Sequence, residues 1–356
     1  MAQLQLADRA AVDFVLSLRR RWADTLYPAV RAEWDAADAE PTAAPAGIAP
    51  PGIALAVHAL PAHAWFAWME RGAQKMLWRA TADAVANNSD ELANEPASLG
   101  PTRLELDPDL LLPDWYTDWD IHLQPGGVWS GPTAARVYEL GAKLVMLGEN
   151  DDYGFHRLFV ETALPRRDYR RIVDMGCGFG KSAWPMQQAF PDAVVTGVDL
   201  SAPCLQLATA RANARGLAMV FRQADAADTG LEAGSFDLVT STMLIHEVPL
   251  ETLAAIFREA ARLLRPGGLL RFMDFQPTGD AFRDLAIIEH GARNNEPFMP
   301  PMLAADVPAM AAAAGLINVG WTAFDERGAG LLDGLAWPDR LEWHFPWAVL
   351  AAEKPQ

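Results

Sequence analysis

Two periods run along this chain, and the change falls near residue 166. Before it, apolar positions recur at helical spacing. Val12, Val15, Leu16, Trp22 and Leu26 gather on one face of residues 6–36, which predicts an amphipathic helix. A second helical stretch is expected over 53–86, broken near Pro61, because a proline removes a backbone donor and crowds the preceding turn. Helical patterns return at 133–147 and 153–164. A Pro- and Asp-rich passage over 106–131 holds Trp115, Trp119 and Trp129.

Past residue 166 the runs shorten. RIVDMG, AVVTGVD, AMVFRQAD, FDLVTSTM and GLLRFMDF alternate with helical stretches, the pattern of βαβ units around a parallel sheet buried on both faces. INVGWTAFD and WAVLAAEK predict two last strands joined by a long loop. The expected architecture is α/β: a doubly wound, mostly parallel, seven-stranded sheet over 166–356, preceded by a mainly helical domain over 1–165.

Length and composition agree with this. At about 150 residues per domain, 356 residues suggest two domains, and 51% hydrophobic against 21% charged residues is a globular balance. With 29 Lys and Arg against 46 Asp and Glu, the net charge of -17 repels phosphate backbones, so nucleic acid is not an expected partner. Cys177 and Cys204 form no CxxC pair and no Cys/His cluster, so neither a disulfide scaffold nor a zinc site is expected, and a reducing cytoplasm fits. MAQLQLADRA lacks the order of a secretory signal. Residues 41–69 contain no Asp, Glu, Lys or Arg, but prolines and glycines interrupt them; they read as a Pro/Ala linker leading into a buried helix, with no membrane span. Eight of the 13 Trp precede residue 130, so the first half must bury aromatic surface. That surface and the apolar stripe of the first helix, with nothing local to cover it, lead us to expect a homodimer interface and a lid.

The sharpest motif is Asp174-Met175-Gly176-Cys177-Gly178-Phe179-Gly180, placed at the end of the first expected strand and the start of a helix. Glycines at alternate positions let the backbone approach a ligand closely. A dinucleotide site would want G-x-G-x-x-G; here the third glycine comes one residue early, and Asp174 would repel a pyrophosphate. A carboxylate there suits a cationic ligand. A tight turn without a ligand is the alternative.

This motif resembles the first motif of the class I S-adenosylmethionine-dependent methyltransferases, and later segments fall in that family's order: Gly197-Val198-Asp199-Leu200-Ser201, Gln223-Ala224-Asp225-Ala226, Ser235-Phe236-Asp237-Leu238-Val239 and Leu263-Leu264-Arg265-Pro266-Gly267-Gly268. The resemblance covers about 166–356. It implies S-adenosyl-L-methionine as methyl donor, with Asp174, Gly176, Gly178 and Gly180 around it, Asp199 and Leu200 at the ribose, Asp225 and Ala226 at the adenine, and Ser241 at the end of the fourth strand beside them. Asp199 is equally suited to a helix N-cap, and Asp225 to a solvated loop.

A sulfonium-borne methyl needs no metal to react, so no metal ligands are expected. A hydroxyl or thiol acceptor needs a base, and His246 and Glu247, just past the fourth strand, are the candidates. A similar His-Glu-x-Pro stretch occurs in the quinone- and sterol-like branch of these enzymes; a histidine that only braces the loop is the alternative. His122, Tyr153, His290 and Asn294 are the candidate substrate contacts, although Tyr153 also reads as a packing residue at a helix start. The expected acceptor is a small apolar or aromatic molecule methylated on oxygen, with sulfur or carbon as alternatives. A nicotinamide-dependent oxidoreductase and a non-catalytic donor-binding scaffold are the rival classes.

Overall fold

The computed structural model describes residues 4–37, 51–88, 99–150 and 152–356. Residues 41–50, the core of the expected Pro/Ala linker, lie outside them. The first helical stretch runs as α1 (Leu6–Arg21), a π-helical turn (Trp22–Leu26) and α2 (Tyr27–Ala36). The second is broken as expected into α3 (Pro51–His58) and α4 (Pro61–Asn87). Leu60 is extended there, at φ -72 and ψ 132, because the ring of Pro61 excludes the helical region for the residue before it. No single helix among the described residues is long and apolar enough to cross a bilayer; α3 and α4 together reach that length but bend by 89°. Nor is α4 buried all round. Phe66, Ala73, Leu77 and Trp78 face inward, while Trp65 and Trp68 stand outside at 64% and 65% exposure.

The remaining elements follow as β1 (Arg103–Glu105), α5 (Asp114–Thr117), α6 (Pro132–Val145), α7 (Gly154–Ala163), β2 (Arg171–Met175), α8 (Ala183–Ala189), β3 (Val194–Asp199) and α9 (Ala202–Ala214). Then come β4 (Val220–Gln223), β5 (Phe236–Thr242), α10 (Leu250–Leu263), β6 (Leu264–Phe275), α11 (Ala281–Arg293), α12 (Met299–Ala304), α13 (Val307–Ala313), β7 (Ile317–Asp325), β8 (Gly330–Leu331) and β9 (Trp347–Glu353). The strand order is β1-β4-β3-β2-β5-β6-β9-β7-β8, parallel from β1 to β6 and antiparallel beyond. The seven expected strands are present, and the sheet is larger by two. β1 comes from the first half, read above as helix and loop: Arg103, Leu104 and Glu105 pair in parallel with Val220, Phe221 and Arg222. Three residues carry no readable alternation, yet they satisfy backbone groups that edge strand β4 would otherwise leave open.

The first helix is not left uncovered either. Val12 and Val15 pack with Leu77, Trp78, Val137 and Leu144, so α4 and α6 cover its stripe within the chain. A larger cluster crosses from the helical half to the sheet. Trp22 stacks on Phe66 at 5.5 Å and tilts against Trp343 at 5.3 Å, and Tyr27 meets Phe282 at 5.5 Å. The helical half is thereby fixed over the carboxyl ends of the parallel strands, where an open α/β sheet collects its ligands.

Candidate active site

β2 must turn sharply into α8, and Gly176, Gly178 and Gly180 do so at φ +68, +51 and +89, values that side chains rarely adopt. The Gly178 N–H donates to Asp199 Oδ2 at 2.8 Å, and Asp199 Oδ1 accepts the Ser201 N–H at 2.8 Å. A Cβ added to Gly178 would have Tyr138 Cε1 as its nearest neighbour, at 3.7 Å, so the turn is open on the side of a cavity of about 190 Å³. Gly176, Gly178, Asp199, Leu200, Asp225 and Ala226 line it. Each Asp199 oxygen keeps a lone pair for a ligand, and burial raises the carboxyl above its usual range.

Asp174 and Ser241 sit elsewhere than expected. Asp174 is fully buried beneath the turn, with Ser182 Oγ donating to Oδ2 at 2.5 Å and Thr240 Oγ1 within 3.2 Å of Oδ1. Burial lifts its carboxyl to about 7. Ser241 Oγ donates to the Met175 carbonyl at 2.8 Å, tying β5 to β2. Neither lines the cavity; their side chains are spent bracing adjacent strands. Gly180 does not line it either, since a Cβ there would meet the Trp184 ring at 2.8 Å.

A tight turn over Ile245–Glu247 follows β5 and brings His246 and Glu247 to the same cavity. Asp274, in β6, accepts the N–H groups of Ile245 (3.0 Å) and Phe275 (2.8 Å) and holds His246 Nδ1 at 2.6 Å. His246 Nε2 lies 3.2 Å from Glu247 Oε1, and His122 Nε2 approaches the same oxygen at 3.1 Å. His122 Nδ1 in turn meets Glu296 Oε1 at 2.8 Å. Burial opposes charge on both rings, but the carboxylates outweigh it: His122 rises to about 10, and Asp274 and Glu247 take His246 well above its usual value. The two imidazoliums hold Glu247 well below the usual carboxylate range despite its burial. Among the described residues, Glu247 Oε2 is buried without a hydrogen-bond partner.

His122 reaches this position because its own backbone is strained, at φ +58, and pinned: its carbonyl accepts from Gln74 Nε2 at 3.0 Å and from the Trp78 indole. His290 also lines the cavity, bonded through Nδ1 to Glu70 Oε1 at 2.5 Å and stacked on Trp343 at 5.2 Å. Tyr153 and Asn294 do not line it. Tyr153 precedes α7 at φ +63 with its ring edge-on to Trp184 at 5.1 Å, and the buried Asn294 amide lies 3.1 Å from His290. Four of the aromatic side chains lining the cavity, Trp115, Tyr116, Trp129 and Tyr138, come from the helical half, whose tryptophans were the only sequence signal for them. Lys181 was missed altogether. Its Nζ lies 3.7 Å from Met243 Sδ, over the faces of Tyr138 and Phe179, and burial lowers it to about 8.

With this geometry in place, the likeness to known proteins falls on the same residues. Residues 172–268 match the family model described as a methyltransferase domain. A demethylmenaquinone methyltransferase of Thermus thermophilus is 33% identical over 143 residues, 40% of this chain and 63% of that protein. A nocamycin O-methyltransferase of Saccharothrix syringae is 39% identical over 99 residues, 27% of this chain and 35% of that protein. A solved phosphoethanolamine N-methyltransferase of Haemonchus contortus superposes with a TM-score of 0.47 at 18% identity, over 69% of this chain and 61% of that one. The chain thus spans 35% and 63% of the lengths of these two curated relatives. It carries a class I S-adenosylmethionine-dependent methyltransferase domain, and the glycine turn fits that donor because a Cβ at Gly178 would project into the cavity.

Proposed function

We propose that this protein transfers a methyl group from S-adenosylmethionine to an oxygen of a small, largely apolar or aromatic molecule. One observation carries the reading: Gly176, Gly178 and Asp199 line the same aromatic-rich cavity as Glu247, whose Oε2 is buried without a hydrogen-bond partner among the described residues. The name of the Saccharothrix syringae relative supports oxygen as the acceptor atom.

When bound, the donor supplies an electrophilic methyl on a sulfonium whose loss leaves a neutral thioether. The backbone of Gly176 and Gly178 would hold its amino-acid end, the Asp199 carboxylate its ribose hydroxyls, and Asp225 with Ala226 its adenine edge. Asp174 and Ser241 support that turn from beneath. Aromatic side chains from the helical half cover the cavity, exclude water and align the acceptor, a positioning effect that can lower a barrier by about 7 to 11 kcal/mol. Glu247 Oε2 would accept the hydrogen bond of the acceptor hydroxyl and take its proton. His246 has both ring nitrogens turned to carboxylates, so it serves as a positioning residue that keeps Glu247 ionised and aimed.

A homodimer remains part of this reading, now on different grounds. Leu55, Trp65, Trp68 and Met76 form an exposed apolar set on α3 and α4. We place the protein in the cytoplasm, with no nucleic acid or membrane as partner.

Incubation with methyl-labelled donor and a panel of hydroxylated aromatic metabolites tests the proposal. Label recovered in an ether or ester product supports it. Label recovered only on sulfur or carbon, or none transferred to any acceptor, overturns it.

A further inference from the structure

The bend between α3 and α4 brings two imidazoles side by side. His58 ends α3, His63 lies in the first turn of α4, and their ring centroids are 4.7 Å apart at 29°. Glu289 reaches the same point from α11. His63 Nε2 lies 3.1 Å from its Oε2, and His58 Nε2 is hydrogen-bonded to its Oε1. The three donor groups thus come from three helices, and their ligand atoms lie within 4.8 Å of one another. We propose that His58, His63 and Glu289 form a binding site for a divalent ion of the zinc class.

The chemistry of the donor set selects the ion. Two imidazoles and one carboxylate suit Zn²⁺ and its Co²⁺ substitute, whereas Mg²⁺ and Ca²⁺ prefer all-oxygen shells. Tetrahedral ligands at about 2.1 Å from zinc stand about 3.4 Å from one another, so the hydrogen bond between His58 and Glu289 must open to admit the ion. Arg293 Nη1 holds Glu289 Oε2 at 2.8 Å, which leaves Oε1 to ligate while the second oxygen stays hydrogen-bonded, as ligating carboxylates commonly are. The Arg293 charge is answered separately by Glu70, so it does not compete for the whole of Glu289. His58 is half exposed, which leaves a fourth position open to water.

None of the three residues lines the methyl-transfer cavity. Glu289 is nevertheless the neighbour of His290, which does, so an ion here would pin the α3–α4 corner to the helix that forms one wall of the active site. No sequence spacing could reveal this, because Glu289 lies more than 220 positions from either histidine.

The test uses the full-length protein stripped of metal by a chelator. Titration with Zn²⁺ alone by calorimetry should find one tight site per chain, and Co²⁺ should give the absorbance of a four-coordinate ion, while Mg²⁺ does not bind. His58→Ala and Glu289→Gln should each weaken Zn²⁺ about 10-fold or more, and Zn²⁺ should raise the melting temperature of the wild type but not of His58→Ala. His58 is exposed enough that its variant folds even where His63→Ala does not. Zn²⁺ binding weaker than about 1 mM, or an affinity unchanged in both His58→Ala and Glu289→Gln, would overturn the site.

Discussion

His122 Nε2 lies 3.1 Å from Glu247 Oε1, and this contact is where the helical half of the chain closes on the edge of the sheet. His122 belongs to the Trp-rich passage, Glu247 to the turn after β5, and Glu296, on the other side of His122, to the segment after α11. One imidazolium therefore joins three distant parts of the chain. Removing one partner of such a buried pair typically costs about 3 to 5 kcal/mol, because the other charge is left unanswered.

The pH dependence of this closure follows from the direction of the shift. His122 is raised from 6.5 to about 10, so its contribution to stability is fully present below pH 6.5 and is lost as pH rises through 10. Thermal melts of the wild type and His122→Gln should differ most near pH 6 and converge toward pH 10. A gap that stays constant over that range would mean that His122 is not charged in the folded state.

Glu247→Gln should lower kcat by about 10²- to 10⁴-fold, the usual contribution of a proton acceptor, while donor affinity stays within about twofold. Because Glu247 is held far below the usual carboxylate range, the wild-type single-turnover rate should show no acid limb between about pH 6 and 7. An acid limb above that window that disappears in His246→Asn would return the role of base to His246.

How much of this the sequence disclosed can be traced residue by residue. The parallel strands were readable because they are buried on both faces and so appear as continuous apolar runs, and Leu60–Pro61 marked the helix break. Gly176, Gly178, Asp199, Leu200, Asp225 and Ala226, which line the cavity, were legible because turn geometry is local and spacing encodes it. Asp174 and Ser241 belonged to the same motifs, yet their side chains brace neighbouring strands, and no one-dimensional pattern says which way a strand-end side chain turns. His246 and Glu247 were noticed, but their charge states depend on Asp274 and His122, which are adjacent only in space. Lys181 carried no signal in the sequence, since its burial depends on the aromatic side chains that surround it.

The exposed set of Leu55, Trp65, Trp68 and Met76 should mediate self-association. Replacing both Trp65 and Trp68 with Ser should convert a dimer to a monomer in light scattering, with the circular dichroism spectrum unchanged. A wild type that is monomeric at every concentration tested would remove the dimer from this account.

The donor cradle is the claim on which the rest depends, and calorimetric titration with S-adenosylhomocysteine tests it most directly. The wild type should bind at one site per chain. Asp199→Ala should bind about 10- to 150-fold more weakly, as expected when two ribose hydroxyls lose a charged acceptor. Gly178→Val, whose branched side chain would project into the cavity from a backbone at φ +51, should show no measurable binding while retaining a cooperative melt. No binding by the wild type, or equal affinity in all three proteins, would contradict the assignment of this turn to the methyl donor.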